Sequence, residues 1–312
     1  MTKGKYIIVP EQGTTGYHIP VLLAETIEML NIRPDGTYVD CTFGGGGHSK
    51  AILEKLNSSG RLIVFDQDEN AKQNVPDDPR VIFVPENFRH LKRFLKLHKA
   101  EQADGILADL GVSSHQFDEA ERGFSIRFEA ALDMRMDRRQ TRSASDVLNS
   151  FTEIQLHKLF EQYGEVTNSK TLARTIIEQR LARPIKTTAD LKNAIGSVIK
   201  GNPNKYLAQV FQSLRIEVND EIGALKEMLG QGLVCLKPGG RFAVITFHSL
   251  EDRLVKNFFK AGTFDELKDD VYGTKPENPF LIITKKPVTA GEKEQRINKR
   301  SRSAKLRVAE KR

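Results

Sequence analysis

A short β-prone run, Thr37-Tyr38-Val39-Asp40-Cys41, passes through Thr42-Phe43 into four consecutive glycines, Gly44 to Gly47, and helical character resumes from Lys50 to Leu56. A strand that enters a glycine turn and leaves as a helix is the first half of a crossover between parallel strands. The pattern repeats. Arg61-Leu62-Ile63-Val64-Phe65 is apolar and β-prone, closes on Asp66-Gln67-Asp68 and leads into a short helix. Val81 to Val84 and Gly105 to Leu110 read as two more buried strands, with a helix over Phe88 to His98 between them. Ahead of the first strand, residues 21 to 31 carry helical spacing and stop at the turn signature Arg33-Pro34-Asp35-Gly36. Strands alternating with helices predict a parallel sheet covered on its faces by helices.

The alternation then stops for about a hundred residues. Asp146-Val147-Leu148, Thr152 to Tyr163, Ser169 to Leu181, Thr188 to Ile199 and Tyr206 to Leu229 read as helices, broken at Gly164, Arg183-Pro184 and Gly201-Asn202-Pro203, with Ser169, Thr188 and Asn204 as expected caps. Sheet character returns after Lys237-Pro238-Gly239-Gly240-Arg241 in Phe242 to Phe247, and Phe280 to Lys286 and Ala304 to Ala309 complete the set as an antiparallel pair. The expected organisation is an α/β domain over 1–120 and 219–312, interrupted by an all-helical unit over 121–218. The 312 residues, 39% of them hydrophobic, suffice for one large core or two modest ones.

Apolar residues never run unbroken for about 18 positions, which excludes a simple helical membrane span. The start, MTKGKYIIVPEQ, lacks the apolar core and cleavage site of a secretory signal, so a cytoplasmic location is expected. Cys41 and Cys235 are the two cysteines; far apart and without a C-x-x-C partner, they supply neither a disulfide framework nor a cysteine-rich zinc site, and no metal is expected. The formal net charge is +7, and residues 285 to 312 hold eleven Lys/Arg against three Glu, a local +8. The other 284 residues therefore sum to −1. A cationic stripe so placed is either a polyanion contact or a solvated terminus.

The glycine turn lies where open α/β sheets bind ligands, at the carboxyl ends of the strands. It meets neither the dinucleotide pattern G-x-G-x-x-G, since Gly44-Gly45-Gly46-Gly47-His48-Ser49 ends in Ser, nor the phosphate loop, which needs Gly-Lys-Ser/Thr. Asp66, about twenty residues on, is placed either to accept the hydroxyls of a ribose or to cap a helix. Asp40 at the end of the first strand would repel pyrophosphate and suit a cofactor with cationic groups. S-adenosylmethionine is such a cofactor. Asp109, in Asp109-Leu110-Gly111-Val112-Ser113-Ser114-His115-Gln116, brings another carboxylate to the same edge, as a working group or as a loop cap.

Several segments resemble the RsmH (MraW) family of bacterial small-subunit rRNA cytosine-N4 methyltransferases: H-I-P-V-L-L (His18 to Leu23), D-C-T-F-G-G-G-G-H-S (Asp40 to Ser49), F-D-Q-D (Phe65 to Asp68), D-L-G-V-S-S-H-Q-F-D (Asp109 to Asp118), E-R-G-F-S (Glu121 to Ser125), L-D-M-R-M-D (Leu132 to Asp137), F-Q-S-L-R-I-E-V-N (Phe211 to Asn219), F-H-S-L-E-D-R (Phe247 to Arg253) and R-S-R-S-A-K-L-R (Arg300 to Arg307). They run in order along nearly the whole chain. Departures from the family pattern fall at Cys41, His115, Ala131 and residues 202 to 207. The resemblance implies a class I (Rossmann-like) methyltransferase sheet with an inserted helical substrate domain. It implies S-adenosylmethionine bound by Gly46, Gly47, His48, Asp66, Phe88, Asp109 and Gln116. It also implies methylation of a decoding-centre cytidine in 16S rRNA, within the small subunit or a late precursor, by a monomer or homodimer.

An exocyclic cytosine amine is a weak nucleophile, because its lone pair is delocalised into the ring, so its methylation needs positioning and a proton acceptor. Asp109 is the candidate acceptor. Phe247 either stacks on the base or fills core, and His248 either touches the base or is structural. Arg300, Arg302, Lys305 and Arg307 are the candidate RNA contacts. Two other readings use the same segments differently: a nicotinamide oxidoreductase, disfavoured by the glycine pattern, and a non-catalytic RNA-binding assembly factor, which would not need Asp66, Asp109 and the turn together.

Overall fold

The computed structural model describes residues 20–112, 119–265 and 277–312. Seven strands form one sheet: β1 (Thr37–Asp40), β2 (Arg61–Phe65), β3 (Val81–Val84), β4 (Ala103–Asp109), β5 (Leu236–Thr246), β6 (Phe280–Ile282) and β7 (Lys305–Lys311). Their order is β3-β2-β1-β4-β5-β7-β6. The first five pair in parallel, and β7 runs antiparallel to both β5 and β6. The expected α/β methyltransferase-type sheet is present, with its strand order reversing between β1 and β4. That switch point is the one place on an open sheet where two loops diverge and leave a crevice.

The period of two along each strand divides the core. Val39, Ile63, Phe65 and Ile106 face one side with Leu225, Met228 and Phe258, whereas Tyr38, Leu62, Val64 and Leu107 face the other with Leu30 and Ile52. The first side is covered by α3 (Leu91–Leu97), α9 (Glu221–Cys235) and α10 (Ser249–Ala261), the second by α1 (Leu23–Leu30) and α2 (Gly47–Leu53). A separate core runs from Val112 to Val218 under α4 (Ala144–Ser150), α5 (Glu153–Gln162), α6 (Ser169–Ala182), α7 (Thr188–Ile195) and α8 (Pro203–Asn219). Among the described residues no helix is long and apolar enough to cross a membrane.

Helix boundaries differ from the sequence reading in four places. Thr187, not Thr188, caps α7, in a box with Asp190, because the cap needs extended backbone and a side chain that reaches the third helical N–H. Asn202 caps α8 with Pro203 behind it, and Asn168 precedes α6 with its side chain turned to the Val198 carbonyl and Tyr206. The run expected over Tyr206 to Leu229 is two helices, because Asp220 takes left-handed backbone (φ 46°) between α8 and α9.

That break serves a clasp. Asn219 is buried; its Oδ1 accepts from Met136 N (2.7 Å) and its Nδ2 donates to the carbonyls of Met134 and Arg215 (2.8 Å each). Arg122, 1% exposed, donates to Asp68 Oδ2 (2.9 Å) and to the carbonyls of Arg135 (2.8 Å) and Met136 (3.1 Å). The Leu132–Asp137 segment is thereby hung between the loop after β2 and the end of α8. Asn219→Ala leaves one donor and two acceptors of that segment and helix without it, and it is expected to destabilise the fold by about 2 to 4 kcal/mol in urea unfolding. An unchanged midpoint would mean that water replaces the amide.

Candidate active site

A cavity of about 460 Å³ opens at the carboxyl edge of the sheet over the switch point, bounded by the glycine turn, Asp66, Phe88, Asp109 and Phe247. That size is within the range of small-molecule sites. The turn shapes its floor. Gly46 has φ +73°, a conformation that side chains resist, and a Cβ at Gly47 would sit 2.2 Å from Pro20 Cγ. Gly44, Gly45 and Gly47 line this cavity, whereas Gly46 faces a smaller hollow behind the turn.

Three carboxylates stand at the ends of β1, β2 and β4, and the structure gives each a different task. Asp40 is 1% exposed; its Oδ2 accepts from Ser49 Oγ (2.7 Å) and its Oδ1 from Thr42 N (3.0 Å), and it does not line the cavity. The expectation that Asp40 faces the cofactor is therefore corrected: it braces the turn from inside, because the turn's own donors reach it first. Burial raises its pKa above the ordinary carboxylate value.

Asp66 lines the cavity, accepting from Gly44 N (2.7 Å) and Asp68 N (2.8 Å). It caps no helix. That task is taken by Asp68, which accepts from Asn70 N. Burial pushes Asp66 up to about 6 against the pull of those two amides, which leaves it ionised at neutral pH and able to accept from hydroxyls.

Asp109 Oδ1 is buried and has no hydrogen-bond partner among the described residues, while Oδ2 lies 3.8 Å from His48 Nδ1. Burial pushes this carboxyl up to about 6, countered by His48 and Arg300 and reinforced by Asp40 and Glu251. A loop cap would have its oxygens on backbone N–H groups. An orphaned carboxylate oxygen on a residue that lines a cavity is instead a group awaiting a partner.

Phe247 and Arg300 form the wall beside Asp109. The Arg300 guanidinium lies 5.6 Å from the Phe247 ring centroid and donates to the Val112 carbonyl, so it belongs to the cavity and not to an open basic stripe. His248 does not line the cavity; its Nδ1 accepts from Glu251 N as the cap of α10, and its Nε2 lies 3.2 Å from Glu251 Oε1. Glu251 is raised by burial but held below its ordinary value overall by His248, the Phe247 N–H and Arg215.

Glu221, His248 and Glu251 come close enough to hold a cation. Two features oppose it. Arg215 already engages both oxygens of Glu221 (2.8 and 3.1 Å), and a His248 whose Nδ1 accepts must carry its proton on the Nε2 that a metal would need. Gln116 lies outside the described residues. In the basic segment, Arg307 is buried against Asp252 (2.5 Å) and Lys305 lies 3.4 Å from the same carboxylate, whereas Arg302 is exposed. Asn219 and Met136, which also line the cavity, received no role from the sequence. Both stand in segments shared with the resembled family, and only the fold shows that those segments meet.

The residues present fit S-adenosylmethionine: a turn whose backbone admits close approach, a carboxylate about twenty residues on for a ribose, the half-buried Phe88 for a purine face, and an unpaired carboxylate near cationic groups. Sequence comparison agrees. A model of the MraW methylase family matches residues 15–312. Proteins named Ribosomal RNA small subunit methyltransferase H are similar over nearly the whole chain. The one from Flavobacterium johnsoniae is 54% identical, covering 96% of this chain and 99% of its own. That from Porphyromonas gingivalis is 53% identical (95% and 97%), and that from Bacteroides thetaiotaomicron 50% (96% and 99%).

A carboxyl at about 6 in the fold and about 3.9 unfolded binds its proton more tightly when folded. Its stabilising contribution is thus present below pH 4 and lost as pH climbs from 4 to 6. Asp109→Asn cannot ionise, so without ligand it is expected to exceed the wild type in stability by about 2 to 3 kcal/mol at pH 7.5, with the gap closing by pH 4. Thermal unfolding at both pH values checks the crossover, and a constant gap would count against a strained carboxylate.

Proposed function

The chain belongs to the MraW methylase family, and on that premise we propose that it transfers a methyl group from S-adenosylmethionine to the N4 amine of a cytidine in the decoding centre of 16S ribosomal RNA. The small-subunit rRNA substrate is taken from the names of relatives about half identical to it. What supports the amine is Asp109, whose buried Oδ1 has no partner among the described residues and beside which the aromatic Phe247 lines the same cavity.

When bound, S-adenosylmethionine supplies an electrophilic methyl group. Asp66 is the acceptor for its ribose and Phe88 the apolar face for its adenine, with Gly44, Gly45 and Gly47 setting the backbone close to it. Asp109 accepts from the target amine, localising the nitrogen lone pair, and takes its proton as the new bond forms. Phe247 offers a stacking face, and Arg300, tied to Val112 behind it, fixes that ring. Glu251 holds the Phe247 backbone N–H at 2.8 Å. In this reading the helical unit over 121–218 is the RNA-recognition surface, and the small subunit or its precursor in the cytoplasm is the partner.

With isotope-labelled S-adenosylmethionine and unmodified small-subunit rRNA, nuclease digestion and mass spectrometry are expected to find the label as N4-methylcytidine. Asp109→Ala should slow the single-turnover step by about a hundredfold or more, with cofactor affinity by calorimetry far less affected. Label on carbon 5, or none, would overturn the assignment. Because Arg302 faces solvent, Arg302→Ala is expected to reduce the slope of log affinity against log salt by up to about 0.9. Arg307→Ala should act on stability through the stranded Asp252. A salt slope untouched by Arg302 would place the phosphate contacts elsewhere.

A further inference from the structure

His48 is 6% exposed, and its Nε2 lies 3.0 Å from the carbonyl oxygen of Val21. A carbonyl only accepts, so Nε2 carries a proton. In the neutral ring Nδ1 is then a bare lone pair, and it faces Asp109 Oδ2 at 3.8 Å. Two acceptors are thus turned toward each other. A histidine needed only to satisfy the Val21 carbonyl would have no use for this second nitrogen.

We propose that His48 is the proton outlet of Asp109, a positioning residue whose ring is locked by Val21 so that Nδ1 receives what the carboxylate takes from the substrate amine. The proposal rests on the function argued above. The proton count requires an outlet. When the amine lone pair forms the new N–C bond and the S–C bond breaks with its electrons on sulfur, the nitrogen holds one proton too many. That proton passes to Asp109, then from Asp109 to His48 Nδ1, leaving a carboxylate and an imidazolium until solvent removes it. The 3.8 Å separation exceeds hydrogen-bond reach by roughly half an ångström or more, a gap that side-chain rotation closes. No hydrogen bond among the described residues holds Asp109 Oδ1 against such a turn.

Charged groups from several elements surround this point. Asp40 on β1 acts on His48 from within the fold, while Asp109 is also under the influence of Arg300 from the turn at Lys299–Ser303 and Glu251 from α10. Two buried carboxylates therefore act on the ring, and Arg300 offsets part of the negative field on Asp109.

Two measurements on the full chain test this. Nitrogen NMR of the imidazole in the ligand-free protein is expected to show Nε2–H with unprotonated Nδ1 at pH 8. Asp109→Asn should move the ring's titration midpoint downward. His48→Gln keeps a donor for Val21 and removes the base. At saturating S-adenosylmethionine it should lose roughly tenfold or more in single-turnover rate and shift the acid limb of the pH profile. An Nδ1–H tautomer at pH 8, or a midpoint indifferent to Asp109→Asn, overturns the proposal, and this arm decides if His48→Gln fails to fold. Wild-type rate and profile in His48→Gln, with Asp109→Ala still slow, overturn the outlet alone. Full speed in Asp109→Ala as well would overturn the role of Asp109 on which it rests.

Discussion

Three carboxylates at the ends of three adjacent parallel strands are costly to hold out of water, and the site is organised by how that cost is met. Asp40 meets much of it through Ser49 and Thr42, and becomes structure. Asp66 meets it with two backbone amides, which leaves lone pairs for hydroxyl donors. Asp109 is left short, with one oxygen unpaired and the other facing an imidazole nitrogen just beyond bonding distance. The gradient from satisfied to unsatisfied runs from beneath the turn to the cavity. It separates bracing, binding and reacting groups among side chains of one type.

Holding Asp109 unsatisfied is possible only if the wall around it is rigid, and the helical unit supplies part of that rigidity. Arg215 near the end of α8 grips Glu221 at the start of α9, Glu251 on α10 holds the backbone of Phe247, and His248 closes the knot. Asn219 and Arg122 carry the Leu132–Asp137 segment to the same rim, where Met136 joins the cavity lining. The break at Asp220 between two helices that read as one is what brings Arg215, Asn219 and Glu221 to this corner. Helix propensity alone favours continuing through it, and the buried hydrogen bonds of Asn219 outweigh that preference.

Much of this was legible from the residues. Strand runs of period two, the glycine turn and the aspartates at strand exits located the sheet, its reading edge and the residues Asp66, Asp109 and Phe247, while Phe88 came from the family resemblance. Local signals failed where a partner distant in sequence decides the outcome. Asp40 and Asp109 look alike as strand-terminal acids, and they differ because Ser49 reaches one of them and nothing equivalent among the described residues reaches Asp109 Oδ1. His248 looked like a second polar contact for the base, and its place at the head of α10 makes it a cap. The sequence quoted Arg122 and Asn219 within motifs, but a motif does not say that its arginine crosses to Asp68, 54 positions away.

The basic C-terminal segment shows why charge must be counted after pairing. A local +8 reads as a polyanion surface, yet Arg307 is buried on Asp252, Lys305 leans on the same carboxylate, and Arg300 turns inward to Phe247 and Val112. These three neutralise or line; they do not face solvent as a stripe. Lys285, Lys286, Lys293, Arg296, Lys299, Arg302 and Arg312 remain exposed. In the helical unit, Arg174 (62% exposed) and Arg183 (81%) have acidic neighbours only at 3.7 and 3.6 Å. Loose surface pairs of that kind are worth little and give way to a phosphate at small cost. The charge that the basic segment offers a polyanion is therefore that of its exposed residues, and not the full local +8.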